Sequence, residues 1–158
     1  MEWIQQLVNG ISLGSIYALI ALGYTMVYGI IKLINFAHGD VFMLGAFIGF
    51  YAIARWDMHW ILALLLAMIL CAVIGVIIER VAYKRLRNAT RIAALITAIG
   101  VSLLIEYTVI FFRGASPEAY PNVVPNKTFE IFGAQIGMQS ILILGVSVFL
   151  MILLQFIV

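Results

Sequence analysis

Charge is scarce in this chain. Only 10% of its 158 residues are Asp, Glu, Lys or Arg, whereas 65% are hydrophobic. An ordinary soluble domain carries about 25% charged residues, so this composition excludes a soluble enzyme, a nucleic-acid binder and a disordered chain. Cysteine is nearly missing as well, and with Cys71 alone no intramolecular disulfide can form. Motifs of the CxxC, CxxCH and HExxH kinds are absent, which leaves no readable metal site. The phosphate-cradling GxxxxGK[ST] loop is also absent, and with it any means of hydrolysing ATP within the chain. Net charge is only +2, too small to point to a polyanionic partner. No basic segment precedes the first apolar run, which is longer than the apolar part of a signal peptide and is expected to stay in the mature protein.

What is present is long apolar text punctuated by charge. A membrane-crossing helix takes about 20 predominantly apolar residues. The charge-free stretches place spans at about 4–31, 41–54, 61–78, 92–112 and 139–158. The expected fold is therefore all-α, a polytopic transmembrane bundle of about five spans forming one domain over 1–158. The first run exceeds one crossing, an excess that tilt absorbs. The second is short, which suits a broken or re-entrant helix buried in protein.

Orientation follows from the basic residues in short loops. Arg80, Lys84, Arg85, Arg87 and Arg91 cluster with the single acid Glu79 between spans three and four, so the 79–91 loop is expected in the cytoplasm. Counting back puts 32–40 inside and 55–60 and the N-terminus outside. Counting forward puts 113–138 outside and Val158 inside. The outer segment 113–138 holds all three prolines (Pro117, Pro121, Pro125), so turns should shape it rather than helix. Phe129, Ile131, Ile136 and the Phe132-Gly133 pair suit a small hairpin or an interfacial segment. The last span ends in apolar text with no cap or basic flank, which reads as a truncated chain.

Membrane helices associate through close packing at small residues. Gly10 and Gly14 form one GxxxG pair, and Gly45 and Gly49 form another. Ala63, Ala67, Cys71 and Gly75 make a small stripe on span three, and Ala94 and Ala98 lead to Ser102 on span four. Ordinary bundle packing accounts for these, and they name no substrate.

Two places are candidates for chemistry. Glu106 is the one ionisable residue inside a span, with Ser102 a turn earlier on the same face. A carboxylate there must face protein or water. Three readings stand: a structural or snorkelling residue, a lining residue of a translocation path, and a proton-coupling site. The second place is the join between spans one and two. There Asp40 suits an N-cap for a helix beginning at Val41, Gly39 a position past the preceding helix end, and His38 the dipole of that end. Alternatively Asn35, His38 and Asp40 mark unwound backbone beside a substrate path, as in the broken helices of transporters. The basic loop has two further readings beside topology: contact with acidic lipid head groups or with a cytoplasmic partner.

The run from Asn9 to Asp40, with its Asn35-Phe36-Ala37-His38-Gly39 segment, closely resembles the opening of bacterial branched-chain amino acid ABC transporter permeases. Met43 to Phe47 and Glu79 to Tyr83 fit too. The resemblance runs along the whole chain. It implies a permease subunit in the inner membrane, paired with a second, homologous permease. It further implies two cytoplasmic ATPase subunits, which hold ATP and Mg, and a periplasmic binding protein that delivers leucine, isoleucine or valine. On this reading the chain is not an enzyme and binds no cofactor itself. The outer loop is then a candidate surface for the binding protein. Family members are about twice as long, and their ATPase-engaging loop lies in the second half. The chain is therefore expected to be the N-terminal half. The alternatives are a fragment of a secondary transporter or channel, an ABC permease for a related substrate such as urea or short amides, and a membrane anchor without transport activity.

Overall fold

The computed structural model describes residues 2–125, 127–131 and 134–157. The element order is α1 (Glu2–Ile31), α2 (His38–Trp56), α3 (Trp60–Ile78), α4 (Arg91–Arg113), β1 (Thr128–Ile131), β2 (Ala134–Gly137) and α5 (Met138–Ile157). A π turn (Glu79–Tyr83) and a 3-10 turn (Lys84–Leu86) prolong α3. The fold is a set of long helices with one small hairpin. Among the described residues, four helices are long and apolar enough to cross a membrane: α1, α3 with its prolongation to Leu86, α4 and α5.

The chain divides into two compact units. One comprises residues 1–26 and 122–158, the other 27–121. In the first, β1 and β2 pair antiparallel, with Phe129 opposite Ile136 and Glu130 opposite Gln135. The Gln5 side chain of α1 mimics a peptide group against this hairpin. Its amide donates to the Gln135 carbonyl at 2.9 Å, and its oxygen accepts from the Gln135 N–H at 2.8 Å. Both backbone groups of Gln135 thus point away from β1, and Gln5 satisfies what would be an open strand edge. The Phe132-Gly133 pair lies outside the described residues.

In the second unit, α2 and α3 form an antiparallel pair joined by only three residues. Asp57 takes the left-handed conformation (φ 46°, ψ 33°) and its N–H closes on the Ala52 carbonyl, which ends α2. His59 opens α3, its Nδ1 accepting from the Ile61 N–H at 3.4 Å. Small residues let the two backbones approach. Gly49 and Ala52 on α2 and Ala63 and Ala67 on α3 are buried. A Cβ at Gly45 would stand 2.9 Å from the Cys71 sulfur, and that thiol donates to the Val41 carbonyl at 3.5 Å.

Helix α4 starts where the Thr90 hydroxyl accepts from the Ala93 N–H at 3.3 Å and stops at Gly114, whose φ of +80° suits glycine. Its last residue, Arg113, ties the stretch after α4 to α2. The guanidinium lies over the rings of Phe47, Phe50 and Tyr51, at 4.9, 5.4 and 4.7 Å from their centroids, and is paired with Glu118. Tyr120 folds back so that its ring meets Phe50 edge-on and its hydroxyl sits over Gly49. Partial burial pushes the Tyr120 phenol above its ordinary value.

Candidate functional site: the broken join of α1 and α2

The sequence that ends α1 is unusual for a helix stop. No glycine follows Ile31. Lys32 itself takes the left-handed conformation (φ 56°), with its N–H on the Tyr28 carbonyl at 2.8 Å. A side chain is strained there. Residues 32–37 are not helical. Asn35 then restarts the chain. Its carboxamide oxygen accepts from the Ala37 N–H at 3.1 Å and its backbone carbonyl from the His38 N–H at 3.2 Å, a local Asx turn.

The restart falls earlier than the charges suggest. Helix α2 begins at His38, not Val41, and runs 19 residues, about 28 Å at helical rise. The charge-free 41–54 run is shorter because Asp40 lies inside the first turn and Arg55 inside the last. Three expectations are thereby corrected. Ala37 is the N-cap residue, and it makes no side-chain cap bond, so Asp40 does not cap the helix. His38 opens α2 instead of closing α1, so it sits at the positive end of a helix dipole. Gly39 lies in the first turn of α2 and is not the residue after α1. The acid in the first turn still suits the dipole.

Two hydrogen bonds from other helices hold the break. The Tyr83 hydroxyl, at the end of the π turn, donates to the Asn35 carboxamide oxygen at 2.8 Å. The Ser102 hydroxyl, in the middle of α4, donates to the Asp40 carboxylate at 2.5 Å. Tyr83 and Ala37 are buried, and Asn35, His38, Asp40 and Ser102 are partly so. Asn35 therefore serves three donors: two backbone N–H groups and a phenol. The π turn matters here. Successive small residues four apart drift slowly around an α-helix, so the face that carries Ala63 and Ala67 would turn away from α2 before Tyr83 is reached. A π turn spends about one extra residue per turn, so Tyr83 is presented at a different angle from the one an unbroken α-helix would give it.

The contacts also fix depth. Asp40 meets Ser102, and Phe47 to Tyr51 meet Arg113. Helices α2 and α4 thus run parallel, in step. Ser102 is 11 residues past Arg91, about 16 Å along α4. The first turn of α2 accordingly sits near the middle of a helix long enough to cross a membrane. The non-helical residues 32–37 precede that turn and lie toward the start of α4, at the Tyr83 end of α3. The amides of residues 37 and 38 are satisfied within the turn.

The remaining sequence candidates are placed differently. Glu106 lies one turn beyond Ser102 but is exposed, and it makes no hydrogen bond or ion pair among the described residues. Gly45 and Gly49 sit in tight contacts, whereas Gly10, Gly14 and Gly75 have no described atom within 4 Å of an added Cβ. Ala67 is buried and Cys71 half-buried against α2. Of the basic residues, Arg87 pairs with Glu79 at 2.8 Å, while Arg80, Lys84, Arg85 and Arg91 are exposed. No group of three or more His, Cys, Asp or Glu that could hold a metal occurs among the described residues. Tyr83 and Arg113 were not among the site candidates read from the sequence. An aromatic side chain inside a basic segment was the available signal for Tyr83; for Arg113 it was a cation at a span end, following Glu106 by two turns.

Over residues 6–158 the chain matches the family described as branched-chain amino acid transport system / permease component. It belongs to that family. It is 41% identical over 162 residues to the high-affinity branched-chain amino acid transport system permease protein BraD of Pseudomonas aeruginosa, covering 95% of this chain and 53% of that protein. It is 41% identical to the permease protein LivH of Salmonella typhimurium, covering 90% of this chain and 50% of the relative. Against LivH of Escherichia coli K12 the identity is 44%, over 78% of this chain and 42% of the relative. The chain spans about half the length of the curated relatives it matches. No solved structure matches it.

Proposed function

We propose that this chain forms part of the membrane pathway of an ABC importer for branched-chain amino acids (leucine, isoleucine and valine) in the bacterial inner membrane. The observation that carries the reading is the helix break at residues 32–37, tied with the first turn of α2 to the end of α3 and to α4 by Tyr83 and Ser102, in a chain of this permease family. A transporter needs polar groups inside the bilayer that can exchange partners, and broken helices supply them. Asn35, His38, Asp40 and Ser102 are the proposed path residues. Glu106 is a second, separate candidate on the outer half of α4. The chain contributes no hydrolytic chemistry. The partners are a second permease, two cytoplasmic ATPase subunits that hold ATP and Mg, and a periplasmic binding protein.

The proposed sidedness puts the basic turn between α3 and α4 in the cytoplasm. It is supported by the polarity of the second unit. Five basic residues mark one end, and exposed Trp56, Trp60, Phe111 and Phe112 mark the other, where aromatic side chains favour an interface.

The test is uptake by the complete transporter in proteoliposomes, with labelled leucine and the binding protein. Uptake should require ATP on the ATPase side and should be competed by isoleucine and valine. Uptake driven by an ion gradient without ATP would instead indicate a secondary transporter. Competition by urea or short amides alone would move the substrate class.

A further inference from the structure

The exposed apolar residues of α3 are followed by charge. Val73, Val76 and Ile77 are about half exposed, and in the π and 3-10 turns that follow Arg80, Val81, Lys84 and Arg85 are all exposed, Val81 at 67%. Tyr83 alone in this turn is turned inward and buried, fixed to Asn35. The single acid of the segment, Glu79, is taken by Arg87. Arg80, Lys84 and Arg85 therefore have no acidic partner among the described residues, and they stand at the foot of an apolar stripe with a valine between them.

We propose that this turn is a docking site for anionic phospholipid head groups. An apolar stripe that ends in cations matches a lipid molecule along its length. Acyl chains lie on Val73, Val76 and Ile77, and the phosphate meets Arg80, Lys84 and Arg85, whose long stems reach to the head-group level. An acidic soluble protein would match the cations but would leave Val81 and the stripe above it unused. The buried Tyr83 is the positioning residue, because its bond to Asn35 sets which way the turn faces. A lipid bound here would thus touch the same short turn that holds the α1–α2 break.

The full chain, purified in neutral detergent, can be titrated with dioleoyl phosphatidylglycerol or dioleoyl phosphatidylcholine and retained lipid counted by native mass spectrometry. The parent should prefer phosphatidylglycerol, with retention falling as salt rises. Arg80→Gln/Lys84→Gln/Arg85→Gln should weaken retention by at least about tenfold. The charge-keeping Arg80→Lys/Lys84→Arg/Arg85→Lys should stay within about threefold of the parent, and so should Arg87→Gln. Equal retention by parent and neutralised variant overturns the proposal, as does loss in a charge-keeping variant that keeps the parent's thermal stability, which would show that charge is not what holds the lipid. Displacement by inorganic phosphate would mean a free-anion site and also overturns it. So would unchanged lipid retention accompanied by lost capture of a soluble transporter subunit.

Discussion

At the scale of single residues, the bond from Ser102 to Asp40 carries the most. A hydrogen bond to a charged acceptor contributes about 1.5–3 kcal/mol, and removing the donor leaves a half-buried carboxylate short of a partner. Ser102→Ala in the complete transporter should therefore lower leucine uptake several-fold at normal membrane expression, and Ser102→Thr, which keeps the hydroxyl, should restore most of it. Equal uptake in Ser102→Ala and the parent would remove Ser102 from the path. Glu106 makes an independent case. Its carboxylate is exposed on a helix that is otherwise apolar around it, and an ionised group in that position needs water or a partner. If it lines the path, Glu106→Gln should slow uptake without changing the amount of transporter in the membrane. If it only snorkels to the outer interface, uptake kinetics will match the parent.

At the scale of elements, the tight pair α2–α3 offers a cleaner test, because it reads stability instead of transport. Gly45→Ala would push a methyl group to 2.9 Å from the Cys71 sulfur. Overpacking of this kind costs about 1–3 kcal/mol. Cys71→Ala removes the atom in the way, so the double variant should recover most of the loss. Thermal stability in detergent for the parent, both single variants and the double variant gives the coupling; strictly additive losses would show that the contact is loose. This scale also shows how far the text of the sequence could be read. Charge-free runs located α1, α3, α4 and α5 to within a few residues, because burying a charge in hydrocarbon is costly and the chain avoids it. The same rule misplaced the start of α2. Asp40 lies in the first turn of α2, where Ser102 donates to it, a pairing 62 residues apart that no local pattern reveals. The π turn was invisible for a related reason: periodicity assumes one helical pitch, and the turn that ends at Tyr83 departs from it. The polar candidates Asn35, Asp40 and Ser102 were legible as residues, while their joining was not.

At the scale of the whole molecule, the sidedness of every polar group depends on one assignment, the position of the basic turn. Arg80, Lys84, Arg85, Arg87 and Arg91 lie within 12 residues, and such clusters stay on the cytoplasmic side because translocating them is disfavoured. With that end inside, the α1–α2 break lies toward the cytoplasm from the middle of α4, and the Arg113 clamp with Glu118 and Tyr120 faces outward. The single native thiol makes this checkable. In a Cys71→Ala background, Arg87→Cys introduces a lone cysteine beside the basic turn, and Ala119→Cys introduces one in the exposed outer stretch. A membrane-impermeant maleimide added to intact spheroplasts should label position 119 and leave position 87 untouched until the membrane is opened. Labelling of position 87 from outside would invert the molecule, placing the break toward the outer face and the clamp toward the cytoplasm.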